Sequence, residues 1–216
     1  MMIQNDTFIL SKRGWLPSML VATFLLFFTM TTLHLFQFIS GALLIALLLI
    51  YRNPERTTTI NEANSILSSV DGVVLGVEDA VIDEMMMKKV TVLNGLWDVS
   101  MLRAPFDGVV QAYKVRHGIS LPLYNPLSDT LNEKALLSFR SACGEEMFIE
   151  HMSDQSCFPI EIEAQAEQKM KEGSRYGFLA KGRTILYLPH NTTISIHPGS
   201  NIRAGESVIG QFASLS

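Results

Sequence analysis

Two patterns of apolar residues divide this chain. From Trp15 to Ile50 there is no Asp, Glu, Lys or Arg, and His34 is the one titratable side chain. A single helix over these 36 residues would reach about 54 Å, far beyond a hydrocarbon core of roughly 30 Å. The polar break Thr31-Thr32-Leu33-His34 therefore predicts two short spanning helices, Trp15 to Thr31 and Leu35 to Tyr51, joined as a hairpin. The run is too long for the apolar core of a signal peptide, and no Ala-x-Ala cleavage site follows it. Lys12 and Arg13 precede the hairpin, Arg52 and Arg56 follow it, and the connecting turn carries no Lys or Arg. The positive-inside rule then places both ends, and the domain that follows, on the cytoplasmic side, at the inner membrane if the source is bacterial.

After residue 52 the pattern changes to short β-type runs punctuated by glycine. Gly72 to Val77, Lys89 to Leu93, Gly108 to Tyr113, Met147 to Glu150, Ile160 to Ala164 and Thr184 to Leu188 all read as strands. Helical stretches are scarce, with Pro54 to Ser65 and Ala164 to Lys171 as the candidates. The expected fold is mainly β, a two-sheet sandwich or barrel-like domain carrying the N-terminal helical hairpin. The division is a tail over 1–14, the hairpin over 15–51 and the β domain over 52–216. Two weak repeats stand out. Val70-Asp71-Gly72-Val73-Val74 recurs as Phe106-Asp107-Gly108-Val109-Val110, the Asp-Gly pair suiting a turn before a β-branched strand. Gly199 to Gly210 has the cadence of a lipoyl carrier, yet no Lys stands at its turn to hold a cofactor.

Composition narrows the function classes. With 17 Lys+Arg against 21 Asp+Glu there is no basic excess to attract nucleic acid. Two cysteines, Cys143 and Cys157, fit no zinc-site spacing and no disulfide scaffold. On the cytoplasmic side both are expected as thiols. Cys157 with His151, and the lone residues His117, His190 and His197, have no spacing that assembles a site. Met85-Met86-Met87-Lys88-Lys89 reads as the edge of a strand or as a membrane-facing loop.

Five segments in order give the chain a family likeness. They are Tyr51-Arg52-Asn53-Pro54-Glu55-Arg56, Ser69-Val70-Asp71-Gly72, Trp97 to Pro105, Asn132-Glu133-Lys134, and Arg175-Tyr176-Gly177-Phe178 followed by Gly182 and Leu186 to Pro189. In this order, after an apolar hairpin, they resemble the short phosphatidylserine decarboxylases. The resemblance implies a β-rich two-sheet domain on a membrane hairpin, membrane phospholipid as ligand, and a self-made cofactor. In that family a Gly-Ser bond cleaves itself and the new N-terminal serine becomes a pyruvoyl group, an electron sink for the substrate amine. An Asp and a His supply the activation that the serine nucleophile needs.

Carried over by motif, Asp71 keeps the position of the family Asp. Ser100 stands in place of the His and supplies no nitrogen that titrates near neutral pH. Gly182 is followed by Arg183 and Thr184, so no serine is present there to become pyruvoyl. The family's substrate-side segment is replaced by His151 to Phe158. An intact Gly173-Ser174 pair lies nearby as an alternative cleavage site, in what composition reads as a turn. The resemblance with these losses implies an inactive relative without a cofactor, a phospholipid-binding or accessory subunit with a protein partner such as an active homologue. The alternatives are an active pyruvoyl enzyme with relocated residues and a structural subunit of a larger membrane complex. Whether Asp71 and Asp98 keep a role is left open by the sequence.

Overall fold

The computed structural model describes residues 10–31, 33–56, 64–82 and 84–213. The chain forms two units, a helical one over Asp6–Glu55 and a β unit from Arg56 onward. In the helical unit, α1 (Lys12–Met30) and α2 (His34–Ile50) part at the polar break. Hydroxyls within this apolar pair bond back to their own helix, Thr23 Oγ1 to the Met19 carbonyl at 2.9 Å and Ser40 Oγ to that of Phe36 at 2.8 Å. The helices approach closely at Gly14, where a Cβ would lie 2.5 Å from that of Tyr51. Near the connecting turn Phe28 stacks on Phe36 with ring centroids 5.3 Å apart. Leu16, Phe24, Phe27, Phe38 and Ile45 point outward, so the pair is apolar around its circumference. Helix α1 is long and apolar enough to cross a membrane, and α2 is a shorter apolar helix of 17 residues.

The β unit contains β1 (Ser65–Leu67), β2 (Gly72–Ile82), β3 (Met85–Asn94), β4 (Met101–Arg103), β5 (Gly108–Arg116), the one-turn helix α3 (Ser128–Leu131), β6 (Lys134–Ser141) and β7 (Glu146–Ser153). It continues with β8 (Glu161–Ile162), β9 (Gln168–Met170), β10 (Arg175–Phe178), β11 (Gly182–Pro189), β12 (Thr193–Ile194), β13 (Asn201–Ile202) and β14 (Val208–Gln211). Eight strands form one open sheet in the order β13-β2-β3-β11-β7-β6-β5-β9. Two three-stranded sheets, β1-β14-β12 and β4-β10-β8, form the second layer. The fold is thus mainly β and sandwich-like, its second layer split in two, and the large sheet does not close into a barrel. Alternation selects the inner face. Ala135, Leu137 and Phe139 of β6 and Val90 and Val92 of β3 enter one core with Ile66, Leu102, Tyr176 and Ile209 from the small sheets.

Two expectations change. Residues 164–171 do not form a helix; their Gln168–Met170 backbone pairs with Gly108–Val110 and completes the sheet edge as β9. The run from Ile160 to Ala164 narrows to the two residues of β8. Of the candidate helix from Pro54 to Ser65, residues 54–56 are in neither helix nor strand and Ser65 opens β1, while 57–63 lie outside the described residues.

The sequence echo has a structural counterpart. One half of the β unit is β1–β3 with β11–β14, the other is β4–β10, and the second sits in the chain between the two parts of the first. Each half repeats the other's pairings. A bulge interrupts β2 between Val74 and Gly76, and another interrupts β5 between Val110 and Ala112. Gly210 of β14 and Gly177 of β10 each leave no room for a Cβ, which would meet Thr193 O at 2.4 Å and Glu161 O at 2.5 Å. The halves meet through reciprocal bonds, Leu67 N–H to Pro105 O at 2.8 Å and Arg103 N–H to Ser69 O at 3.0 Å.

Candidate functional site

Asp71 follows a tight turn in which Ser68 Oγ donates to the Val70 carbonyl at 2.6 Å. Its carboxylate receives both Arg56 guanidinium nitrogens, Nη1 at 2.5 Å and Nη2 at 2.7 Å, and the Ala204 N–H at 2.7 Å. Its carbonyl accepts from Asn94 Nδ2 at 3.0 Å. Burial alone would depress the Arg56 guanidinium; the bond and charge of Asp71, with Glu206 beyond, push it up instead. Asp71 is therefore a fully engaged, buried anion. The other half shows why the fold keeps it. Asp107 accepts the Glu172 N–H at 2.6 Å just after β9, as Asp71 accepts the Ala204 N–H just after β13. The same strand-closing bond is made twice, with no chemistry attached to the second copy.

Gly182 opens β11 between Asn94 of β3 and Ser153 of β7. A Cβ there would lie 2.2 Å from the Met152 carbonyl oxygen, so the position accepts only glycine. Arg183 leaves the strand on the outer face, its Nη2 ion-paired with Asp129 of α3 and 4.0 Å from Met152 Sδ. Thr184 turns into the core, where its Oγ1 lies 2.8 Å from His151 Nδ1. Its backbone lies in a regular ladder between β3 and β7. Ser100 is buried before β4, its carbonyl accepting the Leu179 N–H at 2.8 Å, which ties it to the segment leading into Gly182. Asp98 closes its own turn, accepting the Gly95 N–H at 2.8 Å.

The Gly173-Ser174 pair forms the turn between β9 and β10. Ser174 Oγ donates to the Lys171 carbonyl at 2.5 Å, and the Gly173 carbonyl accepts from Arg103 Nη1 at 2.9 Å. Its counterpart in the first half is Gly205-Glu206. The two glycines have φ of 70° and 71°, and each donates its N–H across to the other strand layer, Gly173 to Ala104 O and Gly205 to Ser68 O. The pair is thus a turn that the fold uses twice.

His151, which the sequence offered only beside Cys157, lies buried on β7 with both ring nitrogens occupied, Nδ1 by Thr184 and Nε2 by Tyr176 Oη at 2.8 Å. Burial lowers its pKa to about 3, so the ring is neutral. Burial pushes the Tyr176 hydroxyl far above its usual range, with Ser69 acting in the opposite sense. Cys157 is exposed, like Cys143, and does not share the His151 environment. The signal for the buried imidazole was present as period two: Met147, Ile149 and His151 alternate inward on one strand. His117 is exposed with Nδ1 3.0 Å from Glu133, and His190 lies 3.9 Å from Asp79. Among the described residues no group of three His, Cys, Asp or Glu is placed to hold a metal.

The residues around Gly182 do not fit a pyruvoyl group, because Arg183 offers no hydroxyl and Ser100 no basic nitrogen. The surrounding sequence is nonetheless recognisable. A model of the family described as phosphatidylserine decarboxylase matches residues 44–210. The phosphatidylserine decarboxylase proenzyme of Geobacter metallireducens is 29% identical over 175 residues, 79% of each chain. That of Amoebophilus asiaticus is 27% identical over 172 residues, 78% of this chain and 76% of its own. That of Geobacter sp. strain M21 is 28% identical over 196 residues, 88% and 89%. With the C-terminal part of α2 and all of the β unit's strands up to Gly210 falling inside the match, this chain belongs to the phosphatidylserine decarboxylase family.

Proposed function

We propose that this chain is a membrane-anchored family member that has lost self-cleavage and serves as a phospholipid-binding or accessory subunit. The observation that carries the reading is Gly182 followed by Arg183, whose guanidinium is committed to Asp129 while Thr184 is committed to the core. Loss of either nucleophile or base alone blocks the chemistry, and both are missing. In this reading α1 and α2 span the bilayer as a hairpin, the β unit lies on the cytoplasmic side, and the protein partner is an active homologue.

The test is the intact mass of the detergent-purified protein before and after borohydride with an amine. One species near 24.1 kDa, unchanged by the reagent, is the expected result. Two fragments, the smaller gaining the amine mass, would overturn the reading. Arg183→Ser is expected to remain uncleaved as well, because Ser100 still supplies no base; a cleaved variant would show that Arg183 alone blocks the chemistry. A second reading, an active enzyme cleaving at Ser174, is favoured by Arg103 donating to the Gly173 carbonyl, as an oxyanion donor would. Against it, Ser174 Oγ is turned to Lys171. Lipid analysis of the purified protein separates a phospholipid-binding subunit, which retains lipid, from a purely structural one.

A further inference from the structure

The two halves differ most at one place. In the first half β2 returns to β3 through residues 83–84 alone, whereas β5 returns to β6 through 117–133. The fold does not need this added length, yet the segment is built with care. Asn132 binds Leu121 twice, donating Nδ2 to its carbonyl at 2.7 Å and accepting its N–H at 2.8 Å, and donates to Ser153 O at 2.9 Å. Leu123 N–H donates to Asp154 Oδ1 at 3.2 Å, and Ser156 N–H to Ser120 Oγ at 2.9 Å. Asp129 receives Arg183.

These polar groups of its middle thus face the body of the protein while several of its apolar side chains face out, with exposed His117 and Asp129 near its two ends. Tyr124 is 86% exposed, Leu127 56%, Ile119 52% and Leu131 43%. The run 118–128 carries no Asp, Glu, Lys, Arg or His. Trp97, 64% exposed, lies on the turn that leaves Asn94 at the same end of the sheet, beside Gly182 and Ser153 in register. A water-facing loop is normally composed the other way round.

We infer that the segment 117–131 is a second membrane contact that seats the Gly182 end of the sheet on the lipid headgroup layer. The inference rests on the anchoring proposed above. Helix α2 ends at Ile50 and the β unit starts at Arg56. The five residues between them span at most about 18 Å, so a spanning hairpin holds the β unit within reach of the bilayer surface. An uncharged run with one tyrosine and several leucines suits the interface, where the ring lies among headgroups and the aliphatic groups reach the acyl boundary. Exposed Lys114 and Arg116, just ahead of the segment on β5, add attraction to anionic lipid.

The experiment uses the full chain with Cys143→Ser and Cys157→Ser, reconstituted in vesicles of phosphatidylethanolamine and phosphatidylglycerol containing a nitroxide-bearing lipid. A fluorophore is attached in turn at Tyr124→Cys, Leu127→Cys, Phe24→Cys in α1, and Met86→Cys at the opposite end of β3, about 30 Å away. Quenching of about twofold or more at 124, 127 and 24 but not at 86 is expected. Quenching at 24 without 124 and 127 overturns the inference and leaves the anchoring intact, also where those labels are shielded by a protein partner instead. Quenching at 124 and 127 without 24 overturns the anchoring and supports the contact, and quenching at none overturns both.

Discussion

Arg56→Ala is expected to be among the most destabilising substitutions in the β unit, costing about 3–5 kcal/mol, because it leaves the Asp71 carboxylate buried without its cation. Both side chains of the pair are largely withdrawn from solvent, so water does not replace the lost bonds. Among the described residues, only the Ala204 N–H would remain on the carboxylate. Thermal unfolding of the full chain in detergent, followed through Trp97, should show a midpoint lowered by roughly ten degrees or more. Asp107→Ala provides the internal comparison. It removes the equivalent strand-closing bond in the other half, but Asp107 is exposed and has no arginine, so the loss should be about 1 kcal/mol. Equal effects at the two positions would show that the ion pair contributes little beyond the turn.

Acid should destabilise the protein through His151. The folded state holds this ring neutral with a pKa of about 3, against an ordinary 6.5 when the chain is unfolded. Below pH 6.5 the unfolded chain takes up a proton that the folded one refuses, so stability is intact above that pH and falls as pH drops toward 3. At pH 5 the loss from this one group is about 2 kcal/mol, approaching about 5 kcal/mol below pH 3. Urea midpoints measured from pH 7.5 to pH 5 in wild type and in His151→Gln test it. The variant loses core hydrogen bonds and starts less stable, but its slope over this range should be flatter. An unchanged slope would mean that other groups govern the acid response.

Much of the fold was legible because its signals are local. Runs rich in Val, Ile and Leu mark β3 and β11, and Asp-Gly marks the entry to β2 and β5, whereas β6, with neither Val nor Ile, was not among the expected strands. The break at Thr31 to His34 marks the helical turn. The misread helix at 164–171 shows the limit: its residues carry no strong strand preference, and it is the open edge of β5 that draws Gln168–Met170 into the sheet. At the site, the replacement of the expected serine by Arg183 was visible as a residue identity, whereas its consequence was not. Nothing in the sequence places Asp129 opposite Arg183, since the two are joined only when the long β5–β6 connection folds back over β11. Arg56 was legible as a flanking charge, and its bond to Asp71 emerges only in three dimensions, because it depends on where the β13 loop presents Ala204.

The nesting of one half inside the other also sets an order of assembly. Every strand pair within the second half closes between Met101 and Phe178. The first half joins Ser65 to Gln211 and Leu93 to Arg183, across the whole of the second. Loops that long are slow to close, and a ribosome releases residues in sequence. All strands of the second half are therefore released before Gly182, while β3 has one edge still to be paired. When β11 is released, β7 precedes it on one side and β3 on the other; it joins the two halves of the sheet and leaves β13 to be added at the edge of β2.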